Sequence, residues 1–196
     1  MKMKLFALVC FLLCSAPIKA RPENLVASAF ISTDGERFYN QLSSEEKQKY
    51  DQINILFQDL IQAGIVVGLH DFVNIAKHKT PQLYEKLAEF EKRVDNEEKA
   101  LPLAVKKFIK DRRSEVKDWF INGNLDTKAF ARSLKLTAVE INLMSDVDRT
   151  ALFKYYPHME TLLQNAHFKQ FLDQPDDVNE DLRAVLDSTP NNETST

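Results

Sequence analysis

The chain has 196 residues, 44% hydrophobic and 28% charged, with a formal net charge of −3. That is a globular composition, at a length that suits one domain with a sizeable core, and it offers no basic footprint for nucleic acid. With only four glycines and no run of alternating apolar and polar residues, the expected class is all-α.

The first twenty residues stand apart. Met1-Lys2-Met3-Lys4 is basic, Leu5 to Leu13 is apolar but too short to span a bilayer, and Cys14-Ser15-Ala16 or Ile18-Lys19-Ala20 supplies a cleavage site. Cleavage after Ala20 is favoured, because cleavage after Ala16 would leave Pro17 first. Residues 1–20 are therefore expected to be a secretory signal peptide and the protein to be secreted and extracellular. Cys10 and Cys14 both lie inside it. The mature chain then has no disulfide, thiol nucleophile or thiolate metal site, and its core alone must hold it.

Residues 21–173 are expected to form the helical domain. Arg21 to Gly35 is weakly patterned, with a turn at Thr33-Asp34-Gly35 before a short helix, Glu36 to Leu42. Ser43-Ser44-Glu45-Glu46 reads as a capping box opening a helix with Tyr50, Ile53, Phe57, Leu60 and Ile61 on one face, ending near Ala63-Gly64. Ile65 to Gly68 is expected to be a buried connection, and His70 to Ala76 a short helix.

Thr80 stands as N-cap and Pro81 at the first helical position, where a missing N–H costs nothing. Leu83, Leu87, Phe90, Val94 and Leu101 follow on one face, with Glu85, Lys86, Glu89, Lys92 and Arg93 facing away. Pro102 breaks this helix and begins the next, whose stripe is Val105, Phe108, Ile109, Val116, Trp119 and Phe120, ended by Asn122-Gly123-Asn124. The expectation is a hairpin of long amphipathic helices that the rest of the chain covers.

Asp126 can cap a helix to about Met144. It is apolar on two sides, Phe130, Leu134, Ile141 and Met144 on one and Leu136, Val139 and Leu143 on the other, which is the pattern of a central helix. Ser145-Asp146-Val147-Asp148 caps a helix with Leu152, Phe153 and Tyr155 that Pro157 stops. Two short helices carry Met159, Leu162 and Leu163, then Phe168, Phe171 and Leu172. The count is about eight or nine helices of uneven length. Residues 174–196 carry six acids against Arg183. They are expected to be a disordered acidic tail, with room for a short helix at Asp181 to Leu186 and a glycosylation sequon at Asn192.

Four histidines, His70, His78, His158 and His167, show no HExxH and no convergent metal spacing. No GxSxG elbow and no glycine-rich phosphate loop is present. The expectation is a protein that is not an enzyme and needs no metal or cofactor. Lys106, Lys110, Arg113 and Lys117 recur at helical spacing, either as a solvated face or as a strip that meets an anionic membrane surface or a ligand carboxylate. Arg112 lies in the middle of an apolar stripe, where a guanidinium must snorkel out, pair with an internal carboxylate, or meet the head group of an amphipathic ligand. The Phe-rich stripes, Phe57, Phe72, Phe90, Phe108, Phe120, Phe130 and Phe168, fit a plain core or a core with a lipid-sized hole.

Lys79-Thr80-Pro81-Gln82-Leu83-Tyr84-Glu85-Lys86-Leu87-Ala88 resembles the KxSPxLYxKAE segment of the nematode fatty acid- and retinol-binding proteins. Phe38-Tyr39-Asn40-Gln41-Leu42-Ser43-Ser44-Glu45-Glu46-Lys47 is similar to that family's FYxxLTxEDK, and Phe168-Lys169-Gln170-Phe171-Leu172 agrees as well. The resemblance covers roughly Glu36 to Leu172; Gln62 to Asn74 departs from the acidic stretch usual there. It implies an all-α fold around an internal apolar cavity that holds fatty acids and retinol non-covalently, for lipid acquisition or transport. Mapped onto this chain, the cavity would be lined by Phe57, Ile61 and Phe72, by Leu83, Leu87 and Phe90, by Phe108, Ile109, Trp119 and Phe120, and by Phe130, Leu134, Ile141 and Leu152. A ligand carboxylate would be oriented by Arg112, Lys106 or Lys110, the assignment of Arg112 resting on its own chemistry. The alternative is a secreted helical interaction protein with a solid core that binds a protein partner.

Overall fold

Caps and prolines cut the chain into ten α-helices among the described residues, which are 25–62, 65, 68–121 and 124–174 of this computed structural model. The side chains of 27, 28, 58, 61, 62, 117, 120, 121, 124 and 125 are outside that description. So are the expected signal peptide, the tail beyond Gln174 with Asn192, and the side chains of Ile61, Lys117 and Phe120. The helices are α1 Leu25–Ala29, α2 Thr33–Gln41, α3 Ser44–Gln62, α4 Leu69–Lys79, α5 Pro81–Ala100, α6 Leu103–Glu115, α7 Thr127–Leu143, α8 Asp146–Tyr155, α9 Met159–Gln164 and α10 Ala166–Asp173. The fold is all-α.

The expected weak lead-in is helical. Helix α1 precedes a second N-cap at Ser32, whose hydroxyl accepts from the Gly35 amide at 3.1 Å, so α2 begins at Thr33 where a turn was expected. Asp34, buried in the first turn of α2, receives Arg37 and Arg93 at 3.2 and 3.0 Å and ties α2 to α5. The Glu97 carboxyl is pushed up by burial and by the Asp34 charge.

The capping box forms as its residues dictate. The Ser43 amide donates to Glu46 Oε2 at 2.8 Å, and the Glu46 amide donates to Ser43 Oγ at 3.3 Å. Lys86 of α5 also reaches Glu46, at 2.6 Å, and these bonds hold the Glu46 carboxyl below its ordinary value of 4.5. A folded-state pKa below the unfolded one contributes stability that is complete above the ordinary value and is lost as pH falls through the depressed one. Glu46→Gln is therefore expected to cost about 0.5–1 kcal/mol at neutral pH, with the gap closing as pH falls below the ordinary carboxylate range, read from urea midpoints at neutral and at acidic pH.

Thr80 joins α4 to α5 in a single residue. Its amide closes α4 on the Ala76 carbonyl at 2.8 Å and its hydroxyl also leans toward that oxygen, so it does not cap α5 with its side chain. Pro81 takes the first position of α5 as expected. Ile65, expected in a buried connection, is 49% exposed.

The hairpin expectation needs correction. Leu101 and Pro102 are extended, with ψ of 152° and 151°, so α5 and α6 leave the link splayed, their backbones keep apart, and they meet through side chains. Helix α5 packs on α4, while α6 packs on α7 and α8. Helix α6 also stops at Glu115, well short of Asn122: a 3-10 turn, Val116–Trp119, leads into a two-residue antiparallel pairing of Phe120–Ile121 with Asn124–Leu125. Beyond it the Asp126 carboxylate accepts from the amides of Lys128 and Ala129 and starts α7.

One contiguous core joins these helices. Phe38 stacks on Phe90 at 4.5 Å, Phe72 lies 5.0 Å from Tyr50 and 5.4 Å from Phe57, and Trp119 meets Phe130 edge-on at 4.9 Å. Such offset and edge contacts add to the burial of 150–250 Å² that each large ring brings. Helix α7 departs from the central position expected of it: Phe130, Leu134 and Ile141 are buried, but Leu136, Val139 and Leu143 face solvent.

Candidate functional site

Where α5 and α6 splay, they leave a groove of about 480 Å³. Asp95, Glu98 and Lys99 line it from α5, and Lys106, Ile109, Lys110 and Arg113 from α6. The sequence dictates this set: 95, 98 and 99, and 106, 109, 110 and 113, recur at three and four residues, so each group shares one face of its helix. The groove floor is built from a charged network. Arg113 bonds the Glu98 carboxylate through both terminal nitrogens, and Tyr155, at the end of α8, donates its hydroxyl to Glu98 Oε1 at 2.8 Å.

Burial pushes the Tyr155 hydroxyl well above its ordinary range, with the neighbouring Tyr156 and Glu98 adding to it, so it stays a neutral donor. Tyr156 is pushed up to about 12, chiefly by burial. Desolvation opposes the charge of Arg113, but Tyr156 and the Glu98 carboxylate outweigh it and raise its pKa. Glu98 is thus fully engaged. Lys99, Lys106 and Lys110 are left facing the single carboxylate of Asp95, which makes the groove cationic. Lys106 also closes the interhelical link by donating to the Lys99 carbonyl at 3.2 Å.

Ile109 carries the groove inward, being both part of its lining and a member of the apolar core. Of the residues expected around a lipid, Phe57, Phe72, Leu83, Leu87, Phe90, Phe108, Trp119, Phe130, Leu134, Ile141 and Leu152 are all buried in that same core.

No family model, curated protein or solved structure matches the chain.

The three cations expected to meet a carboxylate separate. Lys106 and Lys110 line the groove; Arg112 turns the other way, between α6 and α7. It is 4% exposed, and its Nη2 donates to Glu115 Oε1 at 2.6 Å and Glu140 Oε1 at 3.2 Å. Its Nη1 reaches the Ser133 carbonyl at 3.4 Å, and its guanidinium lies 5.8 Å from the Phe108 ring. Nε is buried with no hydrogen-bond partner among the described residues. The internal carboxylates that a buried guanidinium requires are supplied by the protein itself.

The sequence reading found Lys106, Lys110 and Arg113 but missed that Asp95, Glu98 and Lys99 face them from the previous helix, and that Tyr155 and Tyr156 close the base. Periodicity reports one face of one helix; the partner face depends on the angle at Leu101-Pro102, which no local pattern encodes. Elsewhere, His70 lies 2.9 Å from Glu91 and His158 lies 3.7 Å from Glu36. Among the described residues no group of three or more His, Cys, Asp and Glu side chains is placed to hold a metal ion.

Proposed function

We propose that the protein is a secreted carrier that binds long-chain fatty acids non-covalently, and retinol as a second ligand. The observation that carries this reading is the cationic groove between α5 and α6, with Lys106 and Lys110 at its wall and Ile109 leading from it into the apolar core. Its volume lies within the range of small-molecule sites. A carboxylate seated on the two lysines gains charge-assisted bonds, and each methylene taken from water adds about 0.8 kcal/mol. The family resemblance of the segments around Phe38 and Thr80 supports the same ligands.

Titration of lipid-stripped protein with a fluorescent fatty acid tests this. A blue-shifted, saturable signal that oleate displaces is the expected result, and the absence of enhancement rejects the carrier. Lys106→Ala with Lys110→Ala is expected to weaken fatty acid binding about tenfold while sparing retinol, which has no carboxylate to lose. Equal losses for both ligands would remove the lysines from the head-group site.

A second reading is a solid-cored secreted protein that binds a protein partner. The close ring contacts around Phe72 and Phe90 favour it, since they are what a filled core gives. Organic extraction of the purified protein separates the two: stoichiometric lipid for the carrier, none for the interaction protein.

A further inference from the structure

The charges of the α5–α6 groove do not balance. Its walls carry four cations and two carboxylates. Glu98 and Arg113 cancel, since the guanidinium bonds both carboxylate oxygens and Tyr155 donates to Oε1 as well. Lys99, Lys106 and Lys110 then face the one carboxylate of Asp95, a surplus of two positive charges. Among the described residues none of these four has an ion-pair partner, so each keeps its full charge. Lys106 gives one of its N–H donors to the Lys99 carbonyl at 3.2 Å and keeps the others.

The kind of cation left free decides which anion such a site takes. A carboxylate is met best by the flat fork of a guanidinium. The groove's one guanidinium, Arg113, is already occupied by Glu98. What remains is three ammonium groups, compact point charges with rotatable donors. Lys106 and Lys110 stand one turn apart on α6, and Lys99 faces them from α5. The bond from Lys106 to the Lys99 carbonyl brings the two walls together at this end. A fatty acid carboxylate brings a single negative charge and leaves half of the surplus unmet. A phosphate monoester carries about −1.5 to −2 at neutral pH on three acceptor oxygens, which matches the surplus in charge and the lysines in number. A phosphodiester, with a single negative charge, does not.

We propose that the α5–α6 groove is a site for the phosphate monoester head group of a single-chain lipid, taken in preference to a carboxylate. Lys99, Lys106 and Lys110 hold the phosphate oxygens, and the acyl chain leaves over Ile109, which is 4% exposed and part of the core. The inference rests on the carrier reading for the chain and deepens it for the head group.

The test is displacement of a fluorescent fatty acid from the lipid-stripped protein by four competitors. These are oleate, oleoyl lysophosphatidic acid, oleoyl lysophosphatidylcholine and glycerol 3-phosphate, which separate the monoester from the carboxylate, from the diester and from a head group without a chain. Lysophosphatidic acid is expected to displace the probe at a concentration about tenfold lower than oleate, and lysophosphatidylcholine no better than oleate. The advantage should shrink as pH falls through the second phosphate ionisation, near ~6. Coulomb attraction scales with ligand charge, so Lys99→Ala should cost the monoester about tenfold and oleate about threefold. Equal displacement by lysophosphatidic acid and oleate, or equal losses in Lys99→Ala, overturns the proposal. So does glycerol 3-phosphate acting at the same concentration as lysophosphatidic acid, since the site then takes a free phosphate ester. Probe fluorescence that never rises rejects the carrier and this inference together; a normal rise without the phosphate advantage rejects this inference alone.

Discussion

Glu115→Gln combined with Glu140→Gln is expected to destabilise the protein by about 3–5 kcal/mol, because it leaves the Arg112 charge buried without a counter-charge. The guanidinium side chain is only 5% exposed and cannot turn to water as an exposed arginine would. Its other contacts, the Ser133 carbonyl and the Thr137 hydroxyl at 3.4 and 3.5 Å, are long and neutral. Ser133, which now donates to Glu115 Oε2 at 2.8 Å, loses a charged acceptor as well. Adding Arg112→Met removes the charge and keeps much of the volume, so the triple variant should recover most of the loss. Urea unfolding of the double and triple proteins checks both statements. A double variant that loses less than about 1 kcal/mol would mean that Arg112 is hydrated and open to a ligand, contrary to its assignment as a link between α6 and α7.

Phe72→Ala is expected to cost about 3–5 kcal/mol, the usual loss for a large aromatic in a filled core. Phe72 is completely buried, sits between the rings of Tyr50 and Phe57, and joins α4 to α3. The loss contains a transfer part and a cavity part, and the cavity part depends on what surrounds the removed ring. If Phe72 lined a hollow, truncation would widen a hole that already existed and the loss would be well below 3 kcal/mol. The same urea experiment with and without bound fatty acid therefore bears on carriage: a ligand that fills the space would stabilise the variant more than the wild type, and one held only in the α5–α6 groove would stabilise both equally.

The helices that were legible from sequence are those with a chemical marker at their ends. Ser43 with Glu46, Pro81, Asp126 and Ser145 each mark a start that the structure places within a residue or two. Buried stripes were equally legible, since Leu83, Leu87, Phe90 and Val94 repeat at helical spacing and are all inside. What failed was the placement of helices against one another. The second stripe of α7, Leu136, Val139 and Leu143, reads as core because apolar residues at that spacing usually are, and its exposure depends on no helix arriving to cover it. Lys106 and Lys110 were legible as a basic strip. That they enclose a groove depends on the extended link at Leu101-Pro102 and on Glu98, whose role comes from Tyr155 more than fifty positions later. Arg112 was legible as an anomaly because an arginine in an apolar stripe must find an anion, but the sequence does not say whether the anion is part of the chain.

The pairing of α1 with α9 bears on the order in which the molecule can be completed. Phe30 packs edge-on against Tyr156, and the Thr33 hydroxyl donates to the Lys154 carbonyl across 121 positions of sequence. At ordinary rates of synthesis those positions take on the order of ten seconds to appear. Until then Leu25, Val26, Phe30 and Ile31, all buried in the finished protein, lack the surface that α9 and Tyr156 bring. Local units such as α4–Thr80–α5 can form early, but the seam joining the first helix to the ninth is the last to shut. A chain with so late a closure keeps this apolar edge open until nearly all of it has been made.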